Sequence, residues 1–185
     1  MADNPNTMNL TAARLREVLH YDPQTGALIW LPRPVHKQQD KTWNKRYAGK
    51  EAGCVKLVTE TLAYRIIVIR PERYRAHHLA WLYMTGEFPS QRIDHENGDG
   101  LFNAWDNLRL ATPTLNGANS RRPITNTTGF KGVTIQRDVK SRPFKAQIQV
   151  NGKNHHIGLF ESPEAAHEAY LVAARKYFGE FARGE

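Results

Sequence analysis

Apolar residues at Ala12, Leu15, Val18 and Leu19 fall on one helical face and predict a helix over residues 10–20. Asp22-Pro23-Gln24-Thr25-Gly26 then reads as a turn, with proline fixing φ and glycine permitting the reversal, and residues 27–31 follow as a short strand. Residues 32–50 are rich in Lys, Arg, Gln and Asn and hold two prolines, which predicts a loop anchored to the core by Trp43 and Tyr47. Residues 53–58 and 62–70 read as a strand pair. Tyr64, Ile66, Val68 and Arg70 lie on one face of the second strand and Arg65, Ile67 and Ile69 on the other, so the sheet is expected to be covered on both sides. The spacing of Ala76, Leu79, Ala80, Leu82 and Tyr83 changes to helical over residues 74–84, ended by Gly86 and Pro89. A strand over 91–95, a tight loop at 97–100, a strand over 108–111 and a helix opened by Thr112-Pro113 and running to about Ser120 come next.

Arg121 to Gly129 has linker composition. Beyond it, residues 130–137, 144–150 and 154–160 read as three strands, the last two joined by the hairpin signal Asn151-Gly152-Lys153. Ser162-Pro163-Glu164 opens a helix through Tyr177 or Phe178, whose Ala165, Ala166, Ala169, Val172, Ala173 and Tyr177 form a stripe expected to lie on that sheet. The expected fold class is α+β in two domains. Residues 1–120 form the first, 121–128 the linker, and 129–185 a three-stranded antiparallel sheet plus helix.

Charge changes this picture. The 185 residues carry a net +8 with a pI near 9.7, which points to a polyanionic partner. Residues 1–120 have 15 Lys and Arg against 12 Asp and Glu, whereas residues 121–153 have 8 against 1. The basic block therefore coincides with the second sheet, as a phosphate-facing surface requires. In the 32–50 segment, Trp43 and Tyr47 among cations also suit sugars or bases. Cys54 is the lone cysteine, which excludes an internal disulfide and a Cys-x-x-Cys zinc site, and it is expected as a buried thiol in a reducing compartment. The polar N-terminus and the lack of a long apolar run predict a soluble intracellular protein with no membrane partner.

The densest chemistry lies in Arg92-Ile93-Asp94-His95-Glu96-Asn97-Gly98-Asp99, followed by Asn107 and Asn116. Phosphodiester hydrolysis needs a water deprotonated in line with the scissile bond and a cation to neutralise charge on the phosphoryl and the departing oxygen. A histidine suits the first task; an Asp carboxylate plus an Asn carbonyl suits the second, because oxygen ligands favour hard cations such as Mg²⁺. Asp94 and His95 point to opposite sides of a strand. With a facing helix, Asp94 and Asn116 would share an ion while His95 addresses the water. Asn107 would orient the histidine ring or pin the loop.

Ala76-His77-His78-Leu79-Ala80-Trp81, Ile93 to Asp99, Asn107-Leu108-Arg109 and Asn116 resemble the HNH endonucleases of phage and intron origin, the ββα-metal nucleases, many of them homing endonucleases. The resemblance implies His95 as general base, Asp94 and Asn116 as metal ligands, Asn107 as the central asparagine, and Mg²⁺ or Mn²⁺ as the working ion. Phe102-Asn103-Ala104 departs from an Asp-Asn-Arg common in related sequences. Residues 129–183, through Gly129-Phe130-Lys131-Gly132-Val133, Ile157-Gly158-Leu159-Phe160 and Glu164-Ala165-Ala166, resemble an AP2 DNA-binding domain, which lays its sheet in the major groove.

Alternation puts Val133, Ile135, Ala146, Ile148, Ile157 and Leu159 toward the helix. Thr134, Gln136, Lys145, Gln147, Gln149, Asn154 and His156 then face the groove, while Lys131, Arg137 and Lys153 suit phosphates. The expectation is a monomeric, metal-dependent endonuclease acting on double-stranded DNA without organic cofactor, of phage or mobile-element type, in the cytoplasm of an infected bacterium. A DNA-binding regulator with a vestigial nuclease motif and a binder of structured RNA are the rival readings.

Overall fold

The computed structural model describes residues 10–60, 62–123 and 125–184. Contacts divide the chain into two compact units, 1–110 and 111–185. The division falls at the end of a strand of the nuclease motif and not in the polar stretch 121–128.

In the first unit, α1 (Ala12–Val18) is capped by Thr11, whose hydroxyl accepts from the Arg14 amide at 3.2 Å. The predicted helix stops early because β1 (Leu19–Tyr21) pairs antiparallel with β2 (Leu28–Trp30) around the 22–26 turn. Residues 32–50 contain a helix, α2 (Gln38–Tyr47), where the composition predicts a loop. Asp40 nucleates it by accepting the amides of His36 and Lys37 at 3.1 and 3.0 Å. Trp43 is held edge-on by Trp30 at 5.5 Å between centroids, the expected anchor.

β3 (Cys54–Leu57), β4 (Ala63–Ile69) and β5 (Glu72–Arg75) form an antiparallel sheet ordered β3-β4-β5, the last a strand hidden in sequence by the onset of helical spacing. This sheet is not covered on both sides. Ile67 is fully buried, yet Val68 is 46% exposed and all of β3 is exposed, including Cys54, so the expected buried thiol is a surface thiol. α3 (Ala76–Thr85) buries Ala76, Leu79, Ala80 and Leu82 against Leu15, Leu19, Leu28 and Ile67, and ends at Gly86 with φ +89°. β6 (Arg92–His95) and β7 (Leu108–Ala111) pair around the motif loop.

The second unit opens with α4 (Pro113–Ala118), capped by Thr112, and contains β8 (Val133–Ile135), β9 (Phe144–Val150), β10 (Lys153–Phe160) and α5 (Pro163–Phe178). The three strands are antiparallel in the order β10-β9-β8. α5 buries Ala166, Tyr170, Ala174 and Phe178, a strict i+4 row shifted from the predicted stripe; Val172 is 67% exposed and Tyr177 46%. Near the end of the polar stretch, Asn126 Oδ1 accepts the amides of Thr128 and Gly129 and its Nδ2 donates to the Phe130 and Val133 carbonyls. No helix among the described residues is long and apolar enough to cross a membrane.

Candidate active site

β6 brings Asp94 and His95 into the first unit at 5% and 6% exposure. Asp94 Oδ2 accepts from Arg109 Nε at 3.0 Å, so one oxygen of the buried carboxylate is charge-paired across the strand pair. The loop between the strands is fixed by its own amides. Asn97 Oδ1 accepts the Asp99 amide, and Asp99 Oδ1 accepts the Leu101 amide, at 2.8 and 2.9 Å. Asn107 Oδ1 accepts the Asn97 amide at 3.0 Å, while its Nδ2 donates to the Phe102 carbonyl at 2.7 Å. Asn107 thus pins the loop. Of its two expected tasks, orienting the histidine ring belongs to another residue.

That residue is Asn103, which the sequence reading passed over. It is 2% exposed, and its Oδ1 lies 3.1 Å from His95 Nε2. Its Nδ2 donates to the Leu101 carbonyl at 3.0 Å, which fixes the amide with its oxygen toward the ring. His95 Nε2 must then carry the proton, leaving the lone pair on Nδ1. Asn103 is itself held from behind. The buried Tyr21 hydroxyl donates to its carbonyl at 2.7 Å, and Gly26 of the 22–26 turn packs on the same backbone. Gly26 has φ +77°, and a Cβ there would come within 2.2 Å of the Asn103 carbonyl carbon. The early turn therefore serves as the seat of the motif loop. The retained Asn of Phe102-Asn103-Ala104 was the available signal.

His77 packs edge-on to His95 at 5.0 Å and to Tyr64 at 5.1 Å. At 3% exposure, burial drives its pKa well below the ordinary histidine value, and its Nδ1 has no hydrogen-bond partner among the described residues. It is a neutral wall of the site. Burial also lowers the His95 pKa, partly opposed by the Asn103 hydrogen bond and by Asp94 and Asp99, which favours the neutral imidazole.

We expect Asn103→Ala to lower the cleavage rate by about 10- to 100-fold with unchanged DNA affinity, a part of what a positioned base contributes. The lost bond favoured imidazolium, so the acid limb of the rate profile should move to lower pH. A rate drop with an unmoved limb would mean that Asn103 only supports the loop.

The second unit presents a polar strand face. Register places Lys145 beside Thr134 and Leu159, Gln147 beside His156, and Gln149 beside Asn154. Thr134, Lys145, Gln147, Gln149, Asn154 and His156 thus share one face as expected. A bulge between His156 and Gly158 turns Leu159 onto this face, away from the helix, while Ile157 packs into the core. Ile135 is 46% exposed at the sheet edge, and Gln136 lies just beyond β8, its amide donating to the Pro143 carbonyl. Arg137 and Lys153 are exposed.

Lys131 is not on this surface. It is 7% exposed and donates from Nζ to the Ala118 and Ser120 carbonyls at 2.5 and 2.6 Å, closing the C-terminal end of α4. Burial lowers its pKa to about 8, with Arg183 contributing. A cleft of about 530 Å³ runs between α4, through Pro113, Thr114 and Gly117, and the polar strand residues Thr134, Gln147 and Asn154.

The HNH endonuclease family matches residues 74–118, from the start of α3 through α4. Protein 3.8 of Escherichia phage T7 is 33% identical over 110 residues, which span 59% of this chain and 88% of that protein. The chain belongs to the HNH endonuclease family. An uncharacterized HNH endonuclease of Acanthamoeba polyphaga mimivirus is 35% identical over 102 residues, covering 55% of this chain and about half, 51%, of the viral protein. No solved structure matches. The enzyme is a DNA endonuclease, and enzymes of its family work with a divalent metal ion.

The residues present fit such an ion. Among the described residues no group of three or more His, Cys, Asp or Glu converges, so no closed cage of the zinc type is built. The first unit offers instead a buried carboxylate, Asp94, an oxygen donor of the kind a hard divalent ion takes, and Asn116 lies in α4 of the second unit. A sparse oxygen set suits a cation that keeps several waters.

Lys131→Met should leave two helix-end carbonyls unsatisfied and destabilise the nuclease by about 1–3 kcal/mol in thermal or urea unfolding. The salt dependence of DNA binding should stay unchanged, whereas Lys153→Ala should reduce its slope by about one. A reduced slope for Lys131→Met would restore it to the phosphate surface.

Proposed function

We propose that this HNH endonuclease is a Mg²⁺- or Mn²⁺-dependent enzyme that hydrolyses one phosphodiester at a site chosen by its second unit, with His95 as general base. The observation that carries the reading is the His95 ring, buried, neutral and held by Asn103 with Nδ1 unprotonated, next to the buried Asp94. In this reading His95 Nδ1 takes the proton of the attacking water, and Asn103 stabilises the resulting imidazolium through Nε2. Arg109 holds the Asp94 carboxylate in one orientation. Asp94 and Asn116 would hold the ion, which supplies neutralisation of charge on the phosphoryl and on the departing 3′ oxygen. Asn107 fixes the loop that carries Asn103.

The second unit is read as an AP2-like module. Its antiparallel sheet backed by one helix, and its polar face of Lys, Gln, Asn and Thr without acids, support that reading. Gln147 and Gln149 suit adenine edges and Lys145 guanine, with Arg137 and Lys153 on phosphates. One motif per chain supports a monomer that nicks a single strand. The phage and giant-virus relatives support a phage or mobile-element enzyme of the homing type working in an infected host's cytoplasm.

The test is cleavage of supercoiled plasmid and phage DNA with Mg²⁺, Mn²⁺ or EDTA, followed by mapping of ends on both strands. Metal-dependent nicks leaving 3′-hydroxyl ends at a recurrent sequence are expected. Tight sequence-specific binding without cleavage under any metal would identify a regulator with a vestigial motif instead.

A further inference from the structure

We propose that the first unit carries a second DNA-docking surface of its own, formed by α2, the Arg33 segment before it and Lys50 after it, which grips the phosphate backbone of duplex DNA outside the motif and the polar strand face. This surface rests on the nuclease reading only for the identity of its partner as DNA. The first unit's modest net charge conceals it. Residues 33–75 carry eleven Lys and Arg against four Asp and Glu, a net of +7, equal to that of the 121–153 block.

The structure gathers part of this charge on one feature. α2 has ten residues, none of them buried, although it is fixed firmly at both ends. Trp30 accepts the Gly49 amide and donates to the Lys50 carbonyl, and Asn44 exchanges two hydrogen bonds with the Arg33 backbone at 2.8 and 2.9 Å. One side of α2 is partly covered through Trp43, Asn44 and Tyr47, and the opposite side stays in solvent as a rigid surface open to a partner. Lys37, Lys41 and Lys45 stand four residues apart, so they form one row along its side. Like charges at that spacing oppose helix formation unless a polyanion compensates. The row is about 12 Å long, enough to face about three phosphates of one strand.

The acids around the adjoining cleft of about 1300 Å³ are already engaged. Glu17 pairs with Arg14 at 2.6 Å, Glu51 with Arg65 at 2.8 Å, and Asp40 caps α2. Arg33, Arg46, Lys50 and Arg70 line the cleft and form no ion pair with any described residue. Arg33 is further prepared for an anion. Its guanidinium stacks on Trp43 at 3.7 Å, which holds the planar fork in place with its edge N–H groups available. Cations fixed before binding lose little freedom on meeting phosphate.

The experiment uses the full chain carrying His95→Ala, so that binding is read without cutting, and a random-sequence 40-base-pair duplex titrated from 50 to 300 mM salt. Adding Lys41→Gln, Lys45→Gln and Lys50→Gln together should lower the salt slope by about 2–3 and weaken binding about tenfold or more at 150 mM salt. Arg175→Gln with Lys176→Gln, on α5, should change neither. Arg33→Lys, which keeps the charge but loses the stacked fork, should weaken binding with an unchanged slope. An unaltered slope in the triple variant, with its thermal midpoint retained, would overturn the proposal. So would a stronger grip by this surface on an RNA duplex of equal length. Failure here is separable from failure of the nuclease reading: cutting by the unsubstituted chain with an unaltered slope sinks the surface alone, and a lowered slope in a chain that never cuts sinks only the chemistry.

Discussion

His95→Ala should lower single-turnover cleavage by about 10²- to 10⁴-fold, the range a positioned general base contributes, and leave DNA affinity within about twofold. The size follows from the surroundings of the ring. At 6% exposure, bonded by Asn103 and walled by His77, the position admits no side chain of a different shape that would also carry a lone pair. The binding surfaces proposed for the enzyme lie on other elements, so affinity has no reason to fall. The rate is measured with enzyme in excess over an end-labelled duplex, and affinity by fluorescence anisotropy in Ca²⁺ or EDTA. Equal loss of both would make His95 a structural residue. In the unsubstituted enzyme, the acid limb of the rate should lie below the ordinary histidine pKa near 6.5, because burial lowers the His95 value. Cutting should therefore survive mildly acidic conditions that protonate a solvent-exposed histidine.

A chain ending at Ser120 should lose cutting and DNA choice together. The linker-like composition of residues 121–129 suggests the opposite, a nuclease that outlives its recognition module. α4 decides the matter. Its Ala118 and the neighbouring Leu115 and Ala111 pack in one cluster with Ile148, Tyr170, Phe178 and Phe181, and Lys131 closes its C-terminal end. A six-residue helix has no independent stability once that cover is gone. Asn116 would go with it. The core of the first unit, from Leu10 through Leu108, remains and should keep its near-ultraviolet signal and much of its thermal midpoint. Hydrogen exchange at residues 113–118 should rise to that of an unstructured peptide. A truncated chain that nicks plasmid within tenfold of the full-length enzyme would show that α4 stands by itself.

What the sequence disclosed, it disclosed through local chemistry. Thr112-Pro113 and Ser162-Pro163 mark helix starts because an N-cap hydroxyl and a proline at the first position satisfy local needs wherever the chain is. The Asp94-His95 pair and the spacing to Asn107 and Asn116 were legible because a motif is order and interval. Local signals also misled. Cation-rich residues 38–47 fold as a helix, since Asp40 and the Trp30–Trp43 contact outweigh composition. Leu159 sits on the polar face because a one-residue bulge, invisible to alternation, exchanges the faces of the side chains that follow it.

The remaining facts needed the tertiary structure, for a common reason. Which asparagine meets His95, whether a lysine meets phosphate or a helix end, and whether a turn at residues 22–26 touches a loop eighty residues later are all set by long-range packing. The sequence alone determined that this protein carries the groups to cut DNA and the charge to hold it. Only the fold decided that Asn103 holds the His95 ring, that Lys131 locks α4, and that α4 shares its core with the polar sheet, because burial and distance between remote residues are properties of the folded chain.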